Sequence, residues 1–317
     1  MELPASVAIT EVGPRDGLQS AGDAISTASK IQLVDALART GLRRIEVTSF
    51  VHPKLVPSMA DAEQVMGGIT RMPGVTYTAL VPNARGAERA VQAGADELNV
   101  VVSTTETFNH RNLNMRVTES AEAYRSIAAI ARAAGTRATI GLSVCFGCPY
   151  EGVVPLERLL HVLELLVEAG AEEIALADTI GVANPRQVQE IVRAVQQHWP
   201  QLELGLHFHD TRGLGMANVL AGLEAGVARF DASVGGIGAC PFAPGATGNV
   251  CTEDAVHMLE LMGVQTDINL DALTACGALV QQLVGHEVPS RMVRAGSVHG
   301  LLARLSDRAA QAPLTPW

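Results

Sequence analysis

The stretch VEAGAEEIAL, residues 167–176, carries the end of a helix, a turn and the start of a strand. Just upstream, residues 155–170 place Leu156, Leu159, Leu160, Leu163 and Val167 on one helical face. Gly170 suits the left-handed position that closes a helix, and the apolar run behind it reads as a strand buried on both sides. The same pattern recurs as ARTGLRRIEV (38–47), VQAGADELNV (91–100), RAAGTRATIG (132–141) and LEAGVARFDA (223–232), with Gly41, Gly94, Gly135 and Gly226 at the joints. Two more helix-to-strand joins, MPGVTYTAL (72–80) and HWPQLELGL (198–206), use Pro and Gly differently. These marks predict strands at 7–12, 44–49, 76–81, 98–102, 138–144, 173–177, 204–209 and 229–234. Strict strand–helix alternation implies a parallel sheet, and eight units favour closure into a barrel. An open doubly wound sheet fits less well, because no G-x-G-x-x-G turn follows the first strand. The expected fold class is α/β: a single-domain (β/α)8 TIM barrel over about residues 5–265, with an extra C-terminal helical segment over about 266–317. In that segment a helix is expected from 271 to about 285, capping the barrel or joining an oligomer interface.

Composition agrees with a large enzyme core. Hydrophobic residues make up 48% of the 317 residues, and no Gly/Ser- or Pro-rich linker divides them. The net charge of −10 argues against a nucleic-acid partner, which needs a basic surface, yet leaves room for a few arginines to bind a small anion. Five cysteines, an odd number without a regular framework, point to free thiols in a reducing compartment. The opening MELPASVAIT has neither a basic, apolar leader nor an Arg-rich amphipathic helix, and no segment reads as a membrane span. The expectation is a cytoplasmic protein without a membrane partner.

In barrels of this kind the chemistry sits at the C-terminal ends of the strands. There the sequence offers Glu11-Val-Gly-Pro-Arg15-Asp16-Gly, then Glu46, then Asp178-Thr179, then His207-Phe-His209-Asp210, and finally a Gly-rich loop with Cys240 and Asn249. His207 and His209 are two apart, about 7 Å along a strand and on one face, so both imidazoles can reach one cation at about 2.1 Å. With Asp16 and Asn249 at neighbouring strand ends, the set is two imidazoles, a carboxylate and an amide oxygen. Lacking a thiolate, it suits Mg²⁺ or Mn²⁺ with open positions better than structural zinc. Arg15, in a turn stiffened by Gly and Pro, can face a developing oxyanion. Glu46, a carboxylate in an apolar strand, needs a partner, and Arg15 is the natural one. Cys240 can act as an acid or base if its glycine-rich loop closes over the mouth. Cys145-Phe-Gly-Cys148 has redox or zinc spacing but no second ligand pair, so the spacing reads as coincidental; Cys251 and Cys276 read as ordinary helix residues.

Together the motifs EVGPRDGLQ (11–19), IEVTSFVHPKLVPSM (45–59), GCPYEG (147–152), ADTIG (177–181), HFHDT (207–211) and GGIGACPFAPGATGNVCTED (235–254) resemble the 3-hydroxy-3-methylglutaryl-CoA lyases. The resemblance is collinear from about residue 9 to 292. It implies a divalent-metal-dependent carbon–carbon lyase that splits 3-hydroxy-3-methylglutaryl-CoA, or a close 3-hydroxyacyl-CoA relative, into acetyl-CoA and acetoacetate or the corresponding oxoacid. It implies metal ligation by Asp16, His207, His209 and Asn249, and an enolate stabilised by Arg15 with Glu46 orienting the guanidinium. It also implies proton delivery by Cys240, support from Asp178, and a homodimer. Asp16 and His207 both remain as the base that takes the hydroxyl proton. Two departures, Val101-Val-Ser-Thr-Thr105 and Arg212, bear on the acyl group more than on the chemistry. A Claisen-type synthase joining acetyl-CoA to a 2-oxoacid shares the Arg-Asp turn and the H-x-H pair; the Cys-bearing loop favours cleavage. A catalytically silent barrel would be expected to lose Arg15, Cys240 or a ligand, and none is lost.

Overall fold

The computed structural model describes residues 3–21, 25–238, 248–297, 300 and 302. Eight parallel strands close in chain order: β1 (Ala8–Glu11), β2 (Arg44–Ser49), β3 (Thr76–Leu80), β4 (Glu97–Ser103), β5 (Arg137–Ser143), β6 (Glu173–Asp178), β7 (Glu203–Phe208) and β8 (Arg229–Ala232). β1 pairs with β8 from Ala8↔Arg229 to Glu11↔Ala232, which completes the barrel. Helices α1 (Thr27–Leu37), α2 (Ala62–Gly68), α3 (Ala84–Gln92), α4 (Glu106–Leu113), α5 (Val117–Ala133), α6 (Leu156–Glu168), α7 (Pro185–His198), α8 (Gly215–Glu224) and α9 (Thr252–Leu261) alternate with the strands or follow the last one. This is the (β/α)8 barrel that the repeated joints predict. At the five repeated joints, Gly41, Gly94, Gly135, Gly170 and Gly226 all have φ between 72° and 101°, a conformation in which a side chain would be strained. Among the described residues no helix is long and apolar enough to cross a membrane.

The two faces of each strand serve different purposes. Leu98 and Val100 on β4, Ile140 and Leu142 on β5, and Ile174 and Leu176 on β6 are buried in the apolar layer under the helices. The alternate residues face the lumen, where side chains of opposite strands meet. At the N-terminal end Arg44 of β2 bonds Glu97 of β4 at 2.8 Å and also pairs with Glu173 of β6. Arg137 bonds Glu173 at 3.0 Å, and Arg229 bonds Glu203 at 3.0 Å. This ionic plug closes the end of the barrel away from the predicted site.

Strand ends differ from expectation where the chain turns early. β5 stops at Ser143 because Val144 is left-handed (φ 54°), unusual for a β-branched residue, with its N–H donated to Thr179 Oγ1 at 2.9 Å. β8 stops at Ala232, and a turn at Val234–Gly236 begins the loop that carries Cys240. Beyond the barrel, α10 (Leu270–Val284) ends at left-handed Gly285 and packs on α1, on α9 and on the Val234–Gly236 turn, burying Leu273, Cys276 and Val280. A short α11 (Arg291–Ala295) follows, its entry held by Asp254, which accepts from the backbone N–H of Arg291 and Met292. The extension therefore lies against the side of the barrel and the root of the loop after β8.

Candidate metal centre and active site

The turn after β1 is a tight coil, Gly13–Gly17, with the N–H groups of Arg15, Asp16 and Gly17 all directed at the Val12 carbonyl. It turns both charged side chains into the barrel mouth. Arg15 Nε donates to Glu46 Oε2 at 2.5 Å, and Nη1 donates to Asp16 Oδ1 at 2.7 Å. The other oxygen of Glu46 accepts from Asn99 Nδ2 at 2.7 Å, so β2 and β4 together fix the guanidinium. Glu46 is only 1% exposed and Arg15 9%. Burial pushes the Arg15 guanidinium toward the neutral form, but the carboxylates of Glu46 and Asp16 outweigh it, and it stays charged.

Across the mouth, ligand atoms of Asp16, His207 and His209 all lie within 4.8 Å of one another. The two imidazole rings are 5.2 Å apart. Between the pair, Phe208 points outward and packs on Phe146, as the two-residue strand period requires. Asn249 is brought in by an antiparallel bridge to His209. Its Nδ2 donates to Asp16 Oδ2 at 2.7 Å and to the Ile237 carbonyl at 3.1 Å. Among the described residues its Oδ1 is buried without a hydrogen-bond partner, an arrangement that costs free energy unless something accepts the lone pairs. An oxygen with this orphan status beside a carboxylate and two imidazoles is what a cation with mixed O/N ligands requires, so the residues fit a divalent metal. Gly238 backs this corner: a Cβ there would collide with Asn249 Nδ2. Burial raises the Asp16 carboxyl, but Arg15, His207 and His209 pull it down further, to about 2. Burial lowers His207, yet a hydrogen bond to Asp231 leaves it raised.

The remaining predicted residues are placed unequally. Asp178 sits at the end of β6, 1% exposed, and both its oxygens are used: Oδ1 accepts from the Val182 N–H and Oδ2 from the Ala183 N–H, each at 2.9 Å. It braces the β6–α7 loop. Arg212 donates to the carbonyls of Ile180 (2.7 Å) and Gly181 (3.2 Å), tying that loop to the β7–α8 loop. Thr104 and Thr105 turn their hydroxyls onto the Ser143 carbonyl and the Cys148 thiol. Cys145 and Cys148 are buried free thiols with different partners, the Leu142 carbonyl and Thr105. Cys251 lies at the cap of α9 rather than inside it. Cys240 falls outside the described residues.

Two supporting side chains escaped the reading of the sequence, and a third, Glu11, was placed at its strand end without a role. Asn99 holds Glu46; Asp231 bonds His207; and Glu11, fully buried, accepts from the N–H groups of Gly13 (2.7 Å) and Val234 (2.8 Å) and from Thr252 Oγ1 (2.6 Å). Glu11 thus ties the Arg15–Asp16 turn to the root of the loop after β8. The signal for the first two was present: Glu97 with Asn99, and Arg229 with Asp231, are polar residues two apart in otherwise apolar strands.

The HMGL-like family model matches residues 6–280, most of this chain. The chain belongs to the HMGL-like family. Within the HMGL-like family it is 45% identical over 291 residues to the hydroxymethylglutaryl-CoA lyase YngG of Bacillus subtilis, covering 92% of this chain and 97% of that protein. It is 42% identical over 293 residues to the human mitochondrial hydroxymethylglutaryl-CoA lyase, covering 92% and 90%. Among solved structures, a lyase of Acinetobacter baumannii in complex with coenzyme A and 3-methylmalate superimposes with a TM-score of 0.89 at 43% identity, covering 94% of this chain and 97% of that one.

Proposed function

We propose that this HMGL-like chain cleaves 3-hydroxy-3-methylglutaryl-CoA into acetyl-CoA and acetoacetate with the help of a divalent cation. One observation carries the reading: Asp16, His207 and His209 converge beside an Asn249 oxygen that has no partner among the described residues, with the Arg15–Glu46 pair facing the same mouth. A Mg²⁺ or Mn²⁺ ion held by Asp16, His207, His209 and Asn249 would polarise the substrate's tertiary hydroxyl and make its proton easier to remove.

The protein's own groups supply the rest. Asp16 or His207 is assigned the hydroxyl proton. As the O–H electrons become the carbonyl of acetoacetate, the C2–C3 bond breaks and its pair passes to the acetyl-CoA enolate. Arg15, held by Glu46 and Asn99, offers a fixed positive charge to that enolate oxygen. Cys240, on the loop rooted at Val234–Gly236, is assigned the proton that converts the enolate to acetyl-CoA. Asp178 holds the β6–α7 loop at the mouth. The reading extends to one lyase domain acting as a homodimer, as the family resemblance implies; light scattering checks the dimer.

The test incubates the purified chain with 3-hydroxy-3-methylglutaryl-CoA and measures both products. Equimolar acetyl-CoA and acetoacetate, lost with chelator and restored by Mg²⁺ or Mn²⁺, is the expected result. Intact substrate under all metal conditions, or turnover indifferent to chelator, would overturn it. Running related 3-hydroxyacyl-CoA esters beside it defines the acyl group.

A further inference from the structure

Asp231 touches His207, but the reading above gives it no part in the reaction. The β7–β8 register sets it directly opposite His207, on the lumen side of the barrel. Its Oδ2 lies 3.3 Å from His207 Nδ1. We infer that Asp231 is a positioning residue that fixes the tautomer of His207, and so decides which ring nitrogen is offered to a cation; the inference rests on the metal reading above.

The argument is one of donors and acceptors. An ionised carboxylate can only accept, so an imidazole nitrogen bonded to it must carry the proton. With Nδ1–H given to Asp231, the lone pair of the neutral ring is left on Nε2, on the far side from β8. Were the proton on Nε2 instead, that nitrogen would be closed to a cation and Nδ1 would face a carboxylate lone pair to lone pair. The ring therefore has one productive state, and Asp231 selects it. Asp231 is not itself part of the converging set, which comprises Asp16, His207 and His209. It stands behind the ring, in the field of Arg15 on the mouth side and of Arg44 in the ionic plug below. The contact also restrains rotation of the ring about its Cβ–Cγ bond, which would keep Nε2 available to the converging ligands before any ion arrives.

The decisive variant is Asp231→Asn, which keeps the volume. Its amide can donate to Nδ1 and so favour the opposite tautomer. Mn²⁺ binding is followed by electron paramagnetic resonance without substrate, and the ring protonation by ¹⁵N NMR of histidine-labelled, metal-free protein. Expected are an Nδ1–H tautomer for His207 in the wild type and Mn²⁺ binding weakened about 10- to 100-fold in D231N. In an H207A background, D231N is expected to cause no further loss, because its effect runs through that ring. Unchanged Mn²⁺ affinity in D231N, additive losses in the double variant, or an Nε2–H tautomer in the wild type would each overturn the inference. The last result needs no variant to fold. Failure of the wild type to bind Mn²⁺ at all would overturn the metal reading as well, which separates the two.

Discussion

Replacing Glu46 by Ala removes two contacts at once, the ion pair to Arg15 at 2.5 Å and the acceptor for Asn99 at 2.7 Å. At an effective dielectric of 20, unit charges about 4 Å apart attract by about 4 kcal/mol. Arg15 keeps Asp16 at 2.7 Å, and the Asn99 amide, partly accessible from the lumen, can take a water instead. Those compensations place the expected loss of stability at about 3 kcal/mol, the low end for stranding a buried charge. For a chain of this size that is a fall in Tm of several degrees by calorimetry. The catalytic loss should be larger in proportion, because Arg15 is then held by Asp16 alone, and a donor displaced from a developing oxyanion costs about 10²- to 10³-fold in kcat. Glu46→Gln separates the two effects. Its oxygen can face Arg15 while Asn99 flips its amide, so the hydrogen bonds survive and only the charge is lost; the expected stability loss shrinks to about 1–2 kcal/mol. Steady-state kinetics in saturating Mn²⁺ and calorimetry of both variants provide the check. If E46A keeps wild-type Tm and kcat, Glu46 does not hold the guanidinium and the argument for Arg15 collapses.

Asn249→Ala takes away the orphan oxygen and one donor to Asp16; Mn²⁺ affinity, measured by titration calorimetry, should fall at least about 10-fold while the far-ultraviolet circular dichroism stays unchanged. Asp178→Asn puts an amide NH₂ against a backbone N–H, so about 1–3 kcal/mol of stability should be lost in chemical denaturation, whereas Mn²⁺ affinity should hold, marking it as a loop brace. Burial raises Glu11 to about 8 and Glu253 to about 7, so between about 4.5 and 8 the folded protein binds more protons than the unfolded chain. Stability should therefore fall as pH rises through that window, by at most about 1.4 kcal/mol per unit for each group. Glu11→Gln, which mimics the protonated form, should flatten the slope of Tm against pH, and an unchanged slope would refute the assignment.

The fold was legible because its signals are local. A glycine closing a helix and an apolar run opening a strand act within ten residues, and all five such joints adopt the left-handed conformation. The site was partly legible for the same reason, since strand ends concentrate charged and metal-binding residue types at one face of the barrel. Asp16, His207, His209 and Asn249 do meet there. The support around them was not legible. Asn99 and Asp231 stand out as polar residues in apolar strands, but nothing nearby in the chain names their partners, which lie 53 and 24 residues away. Asp178 was legible as a support at a strand end, but not the two backbone N–H groups, of Val182 and Ala183, to which its oxygens are bonded.

The chain by itself determined the alternation of strand and helix, the charged complement of the strand ends and the stock of metal-ligating side chains, because periodicity and turn chemistry depend on near neighbours. Closure of the barrel decided everything that depends on register: that Arg15 is gripped from β2, that Glu46 is backed from β4, that Asn249 gives its amide N–H to Asp16 while its oxygen stays unbonded among the described residues, and that His207 leans on Asp231. A slip of one residue in any strand would turn its inward set outward, so these contacts exist only once all eight strands have chosen their partners.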